Sequence, residues 1–168
     1  AQIITYGTMA TKSAIKDVSR VMELPLADAN YIAKMVPDKP SYGINFEKLI
    51  HYPESGPKSL HSLGMSPDEI ANVNKIRELY FGNALESKVL RQAEKLEGTV
   101  RNTGIHAAGI IIAPHDLSDI VPVSTSKESD LLVTQYEGKI IEEAGVIKMD
   151  FLGLRNLTII KEALRMIG

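Results

Sequence analysis

The sequence predicts an α+β fold in which a helical block interrupts a β-containing block built from both ends of the chain. Three observations lead to this prediction. The opening AQIIT is rich in residues that favour strands, and apolar residues recur at helical spacing over about residues 8–103. After Gly98 the pattern changes to strand-like runs, among them the three consecutive isoleucines at 110–112.

The first half of the chain predicts two helices followed by an irregular region. Thr8 follows a glycine and is expected to cap the first helix, which should end near Leu24, because Pro25 disfavours helical geometry in the residue before it. Residues 26–36 predict a second, short helix. Residues 46–64 carry several prolines and glycines, which indicate a short helix, a loop and turns.

Two further helices have clearer boundaries. Ser66 precedes Pro67 and stands three residues before Glu69, which gives an N-cap, a first-turn proline and a capping box together. This helix should end at Gly82. A fourth helix is expected over about residues 84–96, where apolar residues again follow helical spacing.

The last third of the chain predicts strands and one final helix. The segments GIHAAGIIIAP, LLVTQY and GVIKMDFLG are rich in β-branched and aromatic residues and predict three strands. From Asn156 onward the apolar residues return to helical spacing, so the chain is expected to end in a helix.

Composition limits the classes of function. The chain has no cysteine, which excludes disulfides and thiolate metal sites and favours a reducing, cytoplasmic compartment. Its apolar runs are shorter than the roughly 20 residues that span a bilayer, so a soluble protein is expected. The net charge of −2 does not indicate a polyanion partner. Because it begins at Ala1 inside a predicted strand, the chain is expected to be a piece of a longer protein.

Three cations recur every fourth residue along one stripe of the first helix: Lys12, Lys16 and Arg20. The apolar residues of this helix follow a neighbouring stripe, so the helix should bury one side and present the cations on another. Two interpretations remain open at this point. The cations are either a solvated surface face or contacts to phosphate.

Asp150 stands between Met149 and Phe151 in a segment that otherwise predicts a buried strand. A carboxylate in such surroundings must be protonated, paired or bound to a metal. Side chains alternate along a strand, so Lys148 and Asp150 should project from the same face. They are either a structural ion pair on a half-exposed sheet, or a magnesium ligand beside a cation that steers phosphate.

The stretch VRNTGIHAAG combines three polar side chains, Arg101, Asn102 and His106, with small residues. Small residues let another backbone or a nucleotide come close, and Arg101 and Asn102 have the donors to hold phosphate oxygens. A structural role for His106 is the alternative. The other histidines have no ligand-type spacing with it, which excludes a zinc site.

Three segments together resemble one family: AQIITYGTMATKSAIKDVSRV, RNTGIHAAGIIIAP and KMDFLGLRNLTII. They resemble the alpha subunit of bacterial DNA polymerase III, the C-family of replicative polymerases. The resemblance runs in order over nearly the whole chain and is least distinct over residues 38–75. It implies a palm similar to that of the β-type nucleotidyltransferases, with a small β-sheet, three catalytic aspartates and an α-helical thumb inserted in it.

The resemblance also implies a domain layout and a set of partners. Residues 1–7 and 105–155 would be partial palm, residues 8–104 thumb, and residues 156–168 a helix leading toward the fingers. The partners would be primer–template DNA, a deoxynucleoside triphosphate in the full enzyme, and other replisome subunits outside this chain.

By the same resemblance, Asp150 is the third metal-binding aspartate and Lys148 lies near the incoming triphosphate or the primer end. The cofactor would be Mg²⁺, held in the full enzyme by two further aspartates upstream of Ala1 and not expected to bind the isolated piece. The stripe of Lys12, Lys16 and Arg20 would grip the DNA backbone, and we assign Arg101, Asn102 and His106 to DNA binding as well.

The isolated chain is therefore expected to lack polymerase activity. Two alternatives stand beside this interpretation. One is a non-catalytic helical binding or interaction module in which Asp150 only pairs with Lys148. The other is a different nucleotidyltransferase that shares the palm.

Overall fold

The computed structural model describes residues 1–127, 129–153 and 155–167, with Ser129 described by its backbone alone. The described residues form a mixed α and β structure, which confirms the α+β prediction at this level. The main elements are β1 (Gln2–Thr8), α1 (Thr11–Val21), α2 (Leu26–Met35), α3 (Pro67–Phe81), α4 (Leu85–Leu96), β2 (Val100–Ile112), β3 (Val123–Ser126), β4 (Ser129–Glu137), β5 (Ile147–Asp150) and α5 (Asn156–Ile167).

The chain divides into two compact units. The sheet unit consists of Ala1–Gly7 and Asn102–Gly168, and the helical unit consists of Thr8–Arg101. The sheet unit is therefore made from two separate chain segments, and the helical unit is the segment between them. No helix in the described residues combines the length and apolar character needed to cross a membrane.

The sheet unit is organised around a five-stranded sheet in the order β3-β4-β1-β2-β5. Strand β1 runs parallel to β4, whereas β2 pairs antiparallel with β5 and β3 antiparallel with β4. A small apolar cluster is buried in this unit, consisting of Ile3, Ile111, Ile141 and Val146. Strand β5 therefore lies at one edge of the sheet, next to the long strand β2.

The helical unit has a larger apolar core. Helix α1 packs against α2 and α4, and α3 packs against α4 and a single π-helical turn at Glu47–His51. The largest fully buried side chains include Phe46, Leu49, Ile76 and Leu90. Burying a side chain of this size contributes about 1.5–3 kcal/mol, so this core is the main source of stability of the unit.

The prediction that Thr8 caps the first helix is wrong. Thr8 is the last residue of β1, and α1 begins at Thr11 after Ala10, whose side chain makes no capping hydrogen bond. The reason is a long-range pairing. Met9 N–H donates to the Thr99 carbonyl at 2.9 Å, and Gly98 N–H donates to the Met9 carbonyl at 2.8 Å. These bonds keep the chain extended past Thr8.

The capping box predicted at the start of α3 is confirmed. The Ser66 hydroxyl accepts from the Glu69 N–H, and the Glu69 carboxylate accepts from the Ser66 N–H at 2.8 Å. The Tyr42 hydroxyl donates to the same carboxylate at 3.1 Å, and the Lys39 ammonium lies 3.6 Å from its other oxygen. The Ser66 backbone bond, followed by the Ser66 hydroxyl, Tyr42 and Lys39, holds the pKa of Glu69 below its usual value.

This pKa shift predicts an acid-dependent loss of stability. A carboxyl whose pKa is lowered in the folded state contributes stability that is present above its unfolded pKa and lost as the pH falls through its folded pKa. Replacing Glu69 with glutamine is therefore expected to reduce the difference in unfolding free energy between pH 7 and pH 3. The measurement is urea unfolding at both pH values. Glu78→Gln, at an exposed position of the same helix, is the control, and an equal reduction in both variants would contradict the prediction.

Candidate active site

Lys148 and Asp150 lie together at the end of the edge strand β5. The Lys148 Nζ is 2.8 Å from the Asp150 Oδ2, and the Asp150 side chain keeps 49% of its surface exposed. The alternation of side chains along a strand places both residues on one face, as predicted from their spacing. The carboxylate is thus paired on one side and open to solvent on the other.

The expectation that β5 is a buried strand is wrong. The apolar residues that alternate with the pair, Ile147, Met149 and Phe151, are all exposed. The reason is the position of β5 at the edge of the sheet, with β2 as its neighbour on one side. Asp150 therefore does not pay the free energy of burying a charge, although its neighbours in sequence are apolar.

The stem of Lys148 is held against the sheet unit while its ammonium reaches the carboxylate. Lys148 pairs in register with the buried Ile111 of β2, and only 21% of its side chain is exposed. Gly138 leaves room for this stem, because a methyl group at Gly138 would stand 3.3 Å from Lys148 Cε. Packing of the aliphatic stem therefore limits where the ammonium can go.

His106 is bonded to the backbone of its own strand. Its Nδ1 accepts from the Gly109 N–H at 2.7 Å and from the Ala108 N–H at 3.3 Å. Gly109 is the residue of β2 that pairs with Asp150, and the Ala108 carbonyl accepts from the Phe151 N–H at 2.8 Å. His106 thus contacts the two residues of β2 that lie beside the end of β5.

Gly109 is required by its neighbours. A methyl group at this position would stand 2.7 Å from Ile3 Cδ1 and 2.8 Å from His106 Nδ1. Both distances are shorter than the contacts that Cβ atoms make in proteins. Gly109→Ala is therefore expected to lower the unfolding free energy by about 1–3 kcal/mol through overpacking. Urea unfolding followed by circular dichroism measures the effect. Gly153→Ala is the matched control, because a methyl group there meets nothing within 4 Å; an equal effect of the two substitutions would count against the packing explanation.

Arg101 and Asn102 have different surroundings. The Arg101 guanidinium, in the helical unit, donates to both oxygens of Asp17, at 2.6 and 3.2 Å. Asn102, in the sheet unit, is exposed, and its side-chain amide lies against Gly7. Both residues were predicted to bind DNA, and the pairing of Arg101 with Asp17 was not predicted. A bound phosphate would have to compete with Asp17 for Arg101.

The three cations of the stripe lie on α1 as the spacing predicts, but two of them have carboxylate partners. Lys12 pairs with Asp38 at 2.8 Å, and Arg20 lies 3.6 Å from Asp17. Lys16 is exposed, and within the described part of the chain no carboxylate lies within ion-pair distance of it. Lys16 is therefore the cation of the stripe with the lowest cost of transfer to a phosphate.

The described residues do not form a complete metal site. Mg²⁺ prefers several oxygen ligands in octahedral geometry, and Asp150 offers one carboxylate. Across the ranges 1–127, 129–153 and 155–167, no group of three histidine, cysteine or acidic side chains could hold a metal ion. Asp150 supplies a single carboxylate, so further ligands would be needed to complete a magnesium site.

The structure brings some of the predicted site residues together. Lys148 and Asp150 form an ion pair, and His106 holds the backbone opposite Asp150. The basic stripe and Arg101 belong to the helical unit. Gly109 is one of the small residues around His106 that were predicted to allow a close approach of another group. The groups that come close to it are Ile3 and the His106 ring, and neither was predicted.

Comparisons with known proteins identify relatives over most of the chain. Residues 1–153 match the family model described as the bacterial DNA polymerase III alpha NTPase domain. The chain is 40% identical to the DNA polymerase III subunit alpha of Chlamydia trachomatis over 158 residues, which is 94% of this chain and 11% of that protein.

Two other relatives carry the same description. The subunit alpha of Aquifex aeolicus is 39% identical over 96% of the chain and 14% of its own length. That of Escherichia coli K12 is 38% identical over 100% of the chain and 13% of its own length. The chain thus spans between 11% and 14% of the length of these three relatives.

Proposed function

Since the chain belongs to the family of bacterial DNA polymerase III alpha subunits, we propose that it is part of a replicative, template-directed DNA polymerase. In this proposal the sheet unit is part of the palm, the helical unit is the thumb, and α5 leads toward the fingers. Primer–template DNA and deoxynucleoside triphosphates are the substrates of the parent protein, and other replisome subunits bind outside this chain.

The observation that carries the proposal is the open carboxylate of Asp150 with the Lys148 ammonium 2.8 Å away. About half of the Asp150 side chain faces solvent, so the side of the carboxylate away from Lys148 is open to a ligand. In the parent protein, Asp150 supplies one carboxylate ligand for Mg²⁺, and the remaining ligands come from outside this chain. The bound metal would lower the pKa of a hydroxyl and neutralise charge on a triphosphate.

The residues of this chain position groups and balance charge. The Lys148 ammonium pairs with one oxygen of the Asp150 carboxylate. Its ammonium has three donors, so it can bind the carboxylate and a phosphate oxygen together. A cation at this place stabilises the negative charge that develops during phosphoryl transfer.

Primer extension by the full-length parent protein tests the proposal. A labelled primer annealed to a template of defined sequence should be extended in the order that the template dictates. A parent protein that adds nucleotides without a template would instead be a different nucleotidyltransferase. The isolated 168-residue chain is expected to extend no primer, because it supplies only one of the carboxylates that the reaction needs.

We also propose that the stripe of Lys12, Lys16 and Arg20 contacts the DNA backbone. Such contacts are independent of sequence and release counterions, so each lost contact to duplex DNA reduces the slope of log affinity against log salt by about 0.9. Replacing all three with alanine in the parent protein should flatten the slope by about 1 to 3 units. The lower value applies if only the unpaired Lys16 contacts phosphate.

A salt titration of primer–template affinity measures this effect. Lys58→Ala, at an exposed cation in the same unit, is the control and should leave the slope unchanged. If the triple variant keeps the wild-type slope, the stripe is a solvated surface.

The second candidate function is a non-catalytic binding module. The observation that favours it is the same ion pair, because Lys148 alone satisfies one side of the Asp150 carboxylate. In that case the charge of Asp150 has no role in chemistry, and removing it would leave the activity of the parent protein intact.

A further inference from the structure

We propose that His106 is a positioning residue for Asp150, and that it acts through the backbone of β2 without touching DNA or nucleotide. This inference rests on the proposed function, because it concerns the orientation of the carboxylate that the polymerase would use. It replaces the assignment of His106 to DNA binding.

The first step is the local bonding of the imidazole. The ring belongs to a strand residue, yet its Nδ1 accepts from two backbone N–H groups a short distance along the chain, Ala108 at 3.3 Å and Gly109 at 2.7 Å. A nitrogen that accepts has no proton, so the neutral ring has its proton on Nε2. The Nδ1 edge of His106 is thus fully used inside the protein.

The second step is that the backbone of Ala108 and Gly109 lies beside the end of β5, where Asp150 stands. Gly109 pairs in register with Asp150, and the Ala108 carbonyl accepts from the N–H of Phe151, the residue after Asp150. Strand β5 lies at the edge of the sheet, and among the described residues β2 is the strand that pairs with it. The backbone on which Asp150 stands is therefore fixed by residues 108 and 109, and His106 fixes those residues in turn.

The third step is the close fit around Gly109. The glycine has no Cβ, and an added Cβ would overlap His106 and Ile3. Ile3 is completely buried, so the backbone at Gly109 is confined by the imidazole on one side and by the apolar core on the other. Removing the imidazole acceptor would release one side of this arrangement and leave two N–H groups without their partner.

Loss of the His106 acceptor should change catalysis by displacing the Asp150 carboxylate. A misplacement of about 1 Å in a reacting group can reduce the rate on the order of a hundredfold. Loss of the His106 acceptor should therefore lower kcat and raise the Mg²⁺ concentration needed for half-maximal activity. The affinity for primer–template DNA should not change, because the proposed role gives the His106 side chain no contact with DNA.

The experiment compares His106→Asn, His106→Gln and His106→Ala in the full-length parent protein. The amide of asparagine places an acceptor at the position of Nδ1, whereas glutamine places its amide nearer the position of Nε2. We expect kcat of the asparagine variant to lie within about threefold of wild type. The glutamine and alanine variants should lose about ten- to hundredfold in kcat, with unchanged DNA affinity.

Hydrogen exchange on the same proteins gives a readout that is independent of activity. The amides of Ala108, Gly109 and Phe151 should remain protected in the asparagine variant and lose protection in the glutamine and alanine variants. A direct contact to substrate through Nε2 would give the opposite order, with glutamine active and asparagine impaired. That order, or equal behaviour of all three variants in exchange and kcat, would overturn the proposal.

An Asp150→Asn variant separates this proposal from the proposed function. If Asp150→Asn leaves primer extension intact, the proposed function fails. If Asp150→Asn abolishes extension while the three His106 variants behave alike, only the positioning role of His106 fails.

Discussion

Replacing Asp150 with asparagine in the full-length parent protein is expected to lower the rate of primer extension by about a thousandfold or more. Asparagine has the same shape and keeps an oxygen that accepts from the Lys148 ammonium, but it lacks the negative charge that a divalent cation requires. Metal-ion stabilisation of a transition state contributes several kcal/mol, and about 4 kcal/mol corresponds to a thousandfold in rate.

The fold should tolerate this substitution. An ion pair on a half-exposed edge strand contributes about 0–1 kcal/mol, so Asp150→Asn should change the unfolding free energy little. Glu143→Gln, at an exposed position of the same unit, is the matched control and should keep wild-type kcat. A kcat within tenfold of wild type for Asp150→Asn would favour the non-catalytic binding module.

Replacing Leu90 with alanine is expected to have the largest effect on stability. Leu90 lies on α4 with 0% of its surface exposed and belongs to the core of the helical unit. Removing a fully buried leucine costs about 2–5 kcal/mol, because the transfer free energy is lost and a cavity remains. Such a loss is a large share of the stability of an ordinary domain, so the helical unit should unfold at much lower urea concentration.

Leu96→Ala on the same helix provides the comparison. Leu96 is 41% exposed, so alanine there should cost less than about 1 kcal/mol. Urea unfolding followed by the circular dichroism of the helices measures both variants. If the two substitutions cost the same, Leu90 does not lie in the packed core that the structure describes.

The boundaries of α3 and α4 were predicted well because their signals are local, whereas α1 begins at Thr11 and ends at Val21 and not at the predicted positions. The capping box at Ser66 and Glu69 lies within one turn, and the predicted start and end of α3 are confirmed to the residue. Helix α4 was expected over about residues 84–96 and occupies Leu85–Leu96. In both cases the residues that set the boundary are neighbours in sequence, so no knowledge of the rest of the chain is needed.

The strands were predicted less completely. Short strand β3 at Val123–Ser126 was not predicted, because its four residues carry only a weak preference and its place depends on pairing with β4. The extension of β1 through Thr8 depends likewise on partners about 90 residues away in the sequence. Pairing between distant segments cannot be predicted from the residues within a short window of sequence.

In the candidate site, too, the features that depend on local spacing were predicted and those that depend on distant segments were not. The alternation of side chains in a strand has a period of two residues, so the shared face of Lys148 and Asp150 followed from their spacing. The openness of the Asp150 carboxylate did not follow, since it comes from the edge position of β5. The partners of His106, Arg101 and Lys12 are also absent from the predictions.

The residue order alone was sufficient to establish the α+β composition, the boundaries of α3 and α4 and the shared face of Lys148 and Asp150. Each of these depends on interactions within a few residues. Only the folded chain decided that the aspartate faces solvent, that an imidazole holds the strand opposite it, and which cations already have carboxylate partners. These features depend on which distant segments lie side by side, and that choice is made by burial of the apolar cores and pairing of the strands.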